Sequence, residues 1–390
     1  MVTKFTFTPT PHIIFGAGSI KKLPKLLESY GNSVLLVTGK QSFIQSDHWD
    51  RLLLQFEAAK IHWTHYIVDK EPSPYIIDQC TSLYKGQSFD AVVAIGGGSV
   101  VDGGKAISAM LCQEGIVRDY LEGVGTKQPT GEKILFIAVP TTAGTGSEAT
   151  KNAVISELGE QGFKKSLRHD KYIPDVALVD PELLLNCPKS ITAQSGMDAF
   201  TQLLESYVST HANPITDALA VDGIRNIRDG LVQAVNNGSD LSAREKMAYA
   251  SMLSGTTLAN AGLGTVHGFA SSIGGLFNIP HGLVCAVMMG PVNQLTIRKL
   301  RAQDADGVGL NKYGRAGKLF SRNKNRSDEY YIDLLLDTIN SWSDEFGIRK
   351  LGEFGLKKID LSTIAAKTGN KYNPVELDKN ELEEALEMAL

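Results

Sequence analysis

The feature that most constrains the fold of this chain is a change of rhythm near residue 185. Before it, short β-rich runs alternate with helical stretches; after it the strand signal fades. SVLLVTG (33–39), IHWTHYIVD (61–69), DAVVAIGGGS (90–99), ILFIAVPTT (134–142) and VALVD (176–180) read as strands, rich in Val, Ile and aromatics, and most end in Gly, Pro or Thr. Between them, segments such as WDRLLLQFEAAK (49–60) carry a helical pattern. That alternation marks an open, mainly parallel α/β sheet. The opening KFTFTPTPHIIFGAG alternates like a pair of strands, with prolines that place it at an edge. SELGEQGFKKSLRHDKYIP (156–174) reads as a loop or hairpin before the last strand. Beyond 186, the segments 189–209, 214–236, 241–260, 262–277, 282–297, 329–346 and 376–390 read as helices. The expectation is an α/β dinucleotide-binding domain over 1–185 and an all-α metal and substrate domain over 186–390. The cleft between them is the default site.

Composition narrows the function classes. A net charge of −4, with Lys and Arg scattered along 390 residues, argues against nucleic acid or an anionic membrane as partner. The N-terminal MVTKFTFTPT has no basic-then-apolar leader pattern, and no apolar run approaches the ~18 residues of a membrane span. Cys80, Cys112, Cys187 and Cys285 lie far apart with no CxxC pair. This spacing suits buried free thiols in a reducing, cytoplasmic setting rather than a disulfide framework or a cysteine zinc site.

Three stretches carry chemistry. AIGGGSVVDGGKA (94–106) follows an apolar strand and opens a helix, so its glycines permit a tight turn while the helix start offers free N–H groups to an anion. It matches neither the G-x-G-x-x-G nor the Walker spacing, because Val101 and Ser99 stand where those patterns need glycine and Ala106 follows Lys105. PTTAGTGSEAT (140–150) is a second hydroxyl- and glycine-rich loop at a strand end. Two such loops suit a phosphate-containing cofactor at the carboxyl edge of the sheet. In GMDAFTQLLESYVS (196–209), Asp198, Gln202 and Glu205 share one face of a helix that is otherwise apolar enough to be buried. A buried carboxylate needs a partner, a hydrogen bond or a metal. His267, among small residues, and His281, between Pro280 and Gly282, are the histidines best placed to join it around a divalent cation.

Together these motifs resemble the iron-containing (group III) alcohol dehydrogenase family nearly end to end. The carriers are GGGSVVDGGK (96–105), PTTAGTGSE (140–148), GMDAFTQLLESY (196–207) and GTVHGFASSIGGLFNIPHG (264–282). The resemblance implies the dehydroquinate-synthase-like pair of domains and assembly as a homodimer or larger homo-oligomer. It places the cofactor pyrophosphate on Gly96, Gly97, Gly98, Ser99 and Asp102, and the nicotinamide half along Thr141, Thr142 and Thr145. Lys164 or Lys165 approximates a cofactor-contacting lysine. It implies a divalent metal, Fe²⁺ or Zn²⁺, on Asp198, His267 and His281, which are also the catalytic residues. Gln202 stands where a second ligand, a His, is usual; its carbonyl could coordinate, or hydrogen-bond a water that does. Glu205 belongs to the pattern beside the ligands. Ser271 replaces a histidine that many members use to relay a proton.

The implied activity is NAD(P)-dependent interconversion of a small primary alcohol and its aldehyde by metal-assisted hydride transfer. NAD-preferring relatives often carry an Asp just after the first VT; here Gly39 and Lys40 follow Val37-Thr38, so no carboxylate repels a 2′-phosphate and both NADP and NAD stay open. Two alternatives remain. One is a metal-independent reductase of a functionalised carbonyl (maleylacetate-, phosphonoaldehyde- or sulfoaldehyde-type) with His267 or His281 as acid. The other is a non-catalytic nucleotide-binding relative.

Overall fold

A computed structural model describes residues 4–159 and 162–390. Residues 1–3, where the expectation concerning a leader falls, and 160–161, at the tip of the expected hairpin, lie outside the described residues. Among the described residues eight strands form: β1 (His12–Phe15), β2 (Ser33–Thr38), β3 (His62–Ile67), β4 (Ala91–Gly96), β5 (Leu135–Pro140), β6 (Asn152–Glu157), β7 (Phe163–Arg168) and β8 (Val176–Val179). Six of them make one parallel sheet in the order β1-β8-β5-β4-β2-β3. β4 and β8 are buried throughout and β2 and β5 nearly so, as central parallel strands covered on both faces must be. The expected strand pair at the start is a single strand, β1, at the sheet edge. Pro9 and Pro11 lack the N–H that a ladder needs, so residues 4–10 run without pairing.

Between the strands lie α1 (Leu23–Glu28), α2 (Asp47–Ala58), α3 (Pro74–Leu83) and α4 (Gly98–Met110). From β2 the chain steps outward to β3, then returns to the other side of β2 as β4 and continues away to β5. The carboxyl ends of β2 and β4 are therefore the topological switch point, where open α/β sheets bind ligands. Thr38 is in register with Ile95, so Gly39-Lys40 emerges beside Gly96-Gly97.

The expected hairpin exists as β6–β7, antiparallel, with Ser156 opposite Lys164. It reaches across to the helical domain, where Gly162 and Gly275 touch backbone to backbone. That domain comprises α5 (Lys189–Val208), α6 (Pro214–Asn236), α7 (Leu241–Ala261), α8 (Thr265–Leu276), α9 (His281–Gln303), α10 (Val308–Phe320), α11 (Asp328–Glu345), α12 (Leu361–Lys367) and α13 (Lys379–Ala389). α10 and α12 were not expected. Three glycines dilute the helical signal of α10, yet Gly317 is required there: a Cβ would lie 1.8 Å from the Tyr331 carbonyl oxygen on α11.

The 140–150 loop also packs tightly against α7. A Cβ at Gly255 would sit 2.0 Å from the Gly146 carbonyl oxygen, so only glycine allows that approach. Gly255→Ala should lower stability by about 1–3 kcal/mol as the loop is forced off the helix. Denaturant unfolding checks this; an unchanged midpoint would contradict a close contact in solution.

Candidate active site

The site is assembled at the switch point from two loops and three helices. After β4, Gly97 caps α4, whose first turn (Gly98, Ser99) presents its free N–H groups to the cleft. The second loop lies directly over it: a Cβ at Gly98 would meet Thr145 Cγ2 at 2.5 Å, and Thr141 N donates to Gly96 O at 2.9 Å. Glycine is therefore demanded here by loop-on-loop packing.

A buried lysine binds the loops together. Lys105 Nζ donates to the carbonyls of Ser147 (2.7 Å), Thr150 (2.9 Å) and Asn152 (2.8 Å) and to Thr150 Oγ1 (2.8 Å). Asp102 accepts from Ser147 Oγ and, at 3.0 Å, from Val154 N, so both its oxygens face the protein while its residue lines the cleft wall. Burial pulls the Lys105 ammonium down to about 8 against the opposing pull of Asp102 and Glu148. Burial likewise pushes the Glu148 carboxyl up to about 7.

The helical domain contributes the donor cluster. Asp198, Gln202 and Glu205 share the buried face of α5, with Asp198 only 1% exposed. His267 comes from α8, and His281 is the first residue of α9, its turn set by Pro280. Asp198 Oδ1 stands 3.3 Å from His267 Nε2 and 3.7 Å from His281 Nε2. Glu205 holds His267 Nδ1 at 2.6 Å and also accepts from Val266 N at 2.7 Å, so the Nε2 side of the ring faces Asp198. Such a carboxylate–imidazole pair is how proteins orient a metal-binding histidine.

Burial opposes ionisation of Asp198, but His281 and His267 outweigh it and hold the carboxyl at about 2. Burial drags His281 down to about 4, leaving a neutral imidazole. His267 rises well above its ordinary value despite burial, because Cys285, Glu205 and Asp198 surround it. Asp198 Oδ1 and His281 Nδ1 find no hydrogen-bond partner among the described residues. An unbonded buried carboxylate oxygen facing two imidazole nitrogens fits a first-row divalent cation.

Gln202 lines the smaller cavity within hydrogen-bonding reach of Asp198 and also makes contacts behind the cluster. Its Nε2 donates to Gly144 O at 3.3 Å, and Ser254 Oγ donates to its Oε1 at 3.1 Å, tying α5 to the second loop and α7.

Two cavities flank this cluster, of about 620 and 970 Å³, and share Glu71, Gly98, Ser99, Thr145 and His281 in their walls. Gly97 and Thr142 line the larger; His267 and Ser271 line the smaller. Gly96 and Thr141 support the loops from beneath, and Gly39 and Lys40 lie beyond β2, outside both walls. Lys164 is buried in the cleft and pairs with Glu71 Oε2 at 2.7 Å, whereas Lys165 is exposed, so Lys164 is the lysine facing the site.

Sequence reasoning missed three features. Glu71 is 93 residues from Lys164, so no local pattern links them. His211 packs against Tyr372 on the cleft wall, ring centroids 4.5 Å apart and planes inclined by 50°, another pairing made only by the fold. The cysteines are not uniformly buried thiols remote from metal chemistry. Cys112 is exposed and Cys187 half-buried, while Cys285 lies in the donor cluster; its position four residues after His281 was the available signal.

Two adjoining family profiles match, "Iron-containing alcohol dehydrogenase" over residues 9–181 and "Fe-containing alcohol dehydrogenase family, C-terminal" over residues 192–390. The chain belongs to the iron-containing alcohol dehydrogenase family. Curated members similar to it include alcohol dehydrogenase 4 of Schizosaccharomyces pombe, 34% identical over 90% of this chain and 80% of that protein. The 1,3-propanediol dehydrogenase of Citrobacter freundii is 34% identical over 92% of each. A solved 1,3-propanediol oxidoreductase superposes over all of both chains with a TM-score of 0.88 at 30% identity. The family supports an oxidoreductase acting on alcohols, and none of the described helices is long and apolar enough to cross a membrane.

The second loop generates a pH prediction. The folded carboxyl of Glu148 is raised from 4.5 to about 7. The folded state therefore keeps a proton that the unfolded chain releases, and the stabilisation present below pH 4.5 is lost as pH rises through 7. Glu148→Gln removes this dependence, so its stability relative to the parent should grow by up to about 3 kcal/mol between pH 4.5 and 8. Urea unfolding across that range checks it; parallel curves would contradict it.

Proposed function

We propose that the cleft interconverts a small primary alcohol and its aldehyde, with Asp198, His267 and His281 holding a divalent cation beside a nicotinamide cofactor on the two loops. The observation that carries this reading is the convergence of an unbonded buried carboxylate and two imidazoles with two glycine loops on one pair of adjoining cavities. When bound, the cation supplies Lewis-acid polarisation of the substrate oxygen, and the nicotinamide carries the hydride. The chain's own residues do the positioning. The first turn of α4 offers Gly98 and Ser99 N–H groups to a pyrophosphate. Glu205 fixes the His267 ring, and the buried Asp198 stays anionic throughout the working pH range. Ser271 Oγ donates to the His267 carbonyl at 3.0 Å, so in this arrangement its proton is engaged within α8.

The cofactor is NADP. Lys40 follows β2 at the switch point, is exposed, and makes no ion pair among the described residues, while Gly39 brings no carboxylate against a 2′-phosphate. Support for a homodimer comes from β1, an edge strand whose Ile13 and Phe15 are 36% and 38% exposed. Four free cysteines support a cytoplasmic setting. One observation favours a second reading, a reductase of an aldehyde bearing an anionic group: Lys371 shares a cavity wall with Lys151, Lys164 and Arg168, which are paired with Asp170, Glu71 and Glu122.

Initial rates over neutral and anionic short aldehydes, with NADPH and with NADH, test these readings. Neutral aldehydes turned over with NADPH at the higher kcat/KM support the first; turnover of anionic aldehydes alone supports the second; no turnover contradicts both. Gly39→Asp should weaken NADPH at least tenfold and spare NADH, equivalent to about 1.4 kcal/mol. Equal loss of both would remove Gly39 from the ribose site.

A further inference from the structure

The cluster has a fourth donor that the sequence pattern does not contain. Cys285 lies one turn after His281 on the same face of α9 and is fully buried. Its Sγ is 3.7 Å from His267 Nε2 and 3.7 Å from His281 Nε2. With Asp198 Oδ1 at 3.3 and 3.7 Å from those nitrogens, all four donor atoms fall within 4.8 Å of one another. Zinc bonds of about 2.3 Å to sulfur and about 2.0–2.1 Å to nitrogen and oxygen give tetrahedral edges of roughly 3.3–3.6 Å. The four separations given, one of 3.3 Å and three of 3.7 Å, lie close to such edges. Packing alone accounts for a buried thiol, but not for its sulfur standing at ligand spacing from both imidazole nitrogens.

We propose that Cys285 is a metal ligand of this protein, completing a four-donor site with Asp198, His267 and His281. This rests on reading the cluster as a cation site. Gln202 directs its amide to Gly144 and Ser254. A thiolate is a softer donor than an imidazole, and a Cys–His₂–Asp set selects zinc over ferrous iron. On binding, the S–H bond breaks, the S–Zn bond forms and the proton leaves to solvent, with no change of oxidation state.

The test strips the full-length protein with chelator, reloads it with Co²⁺ alone and records its absorbance. The expected spectrum has visible ligand-field bands together with a near-ultraviolet thiolate-to-cobalt charge-transfer band. Cys285→Ser should keep the visible bands and lose the ultraviolet one, and its Zn²⁺ affinity, from competition with a chromophoric chelator, should fall roughly tenfold or more. Visible bands without charge transfer in the parent protein would overturn the Cys285 assignment and leave the cation site standing. No bands at all would overturn both. The parent spectrum decides the matter even if the variant fails to fold.

Discussion

A carboxylate in the middle of a 20-residue core helix has to be compensated, and at Asp198 the compensation organises the helical domain. The partners are imidazoles from two other helices, so α8 and α9 must both converge on one face of α5. Small residues along GTVHGFASSIGG permit that approach; at Gly264 a Cβ would lie 3.1 Å from Glu205 Oε1 on α5. Glu205, two turns along α5 from Asp198, braces His267 from behind. The same helix fixes the second loop through Gln202, so the donor cluster and the cofactor loops are positioned by one element.

The α/β domain meets this arrangement with a second buried charge. Lys105 sits in the helix that opens the first loop and holds the carbonyls of the second. Its ammonium satisfies backbone oxygens that would otherwise be orphaned where the second loop leaves the sheet. The glycine-rich motif thus has two roles along its length: Gly97, Gly98 and Ser99 face the cleft, and Asp102 and Lys105 face inward to build its other wall.

Much of this was legible in the sequence because it depends on local physics. The buried strands announce themselves as apolar runs, and α6 is bounded as read because Asn213 caps it and Pro214 begins it. The aligned face of α5 follows from helical period alone. What escaped are contacts that only the fold creates: Glu71 with Lys164, His211 with Tyr372, and Cys285 against two rings. α10 was hidden because glycines that weaken its helical signal are needed for its contact with α11. The apparent strand pair at the start failed because alternation cannot supply the N–H groups that Pro9 and Pro11 lack.

The central claim is that the cluster around Asp198 is a cation site, and the most direct test is metal content per chain. Elemental analysis of protein purified anaerobically without chelator should find about one divalent first-row metal per chain, lost on Asp198→Asn. Protein that carries no metal as purified, and takes up none when titrated with Zn²⁺ or Fe²⁺, would contradict the account.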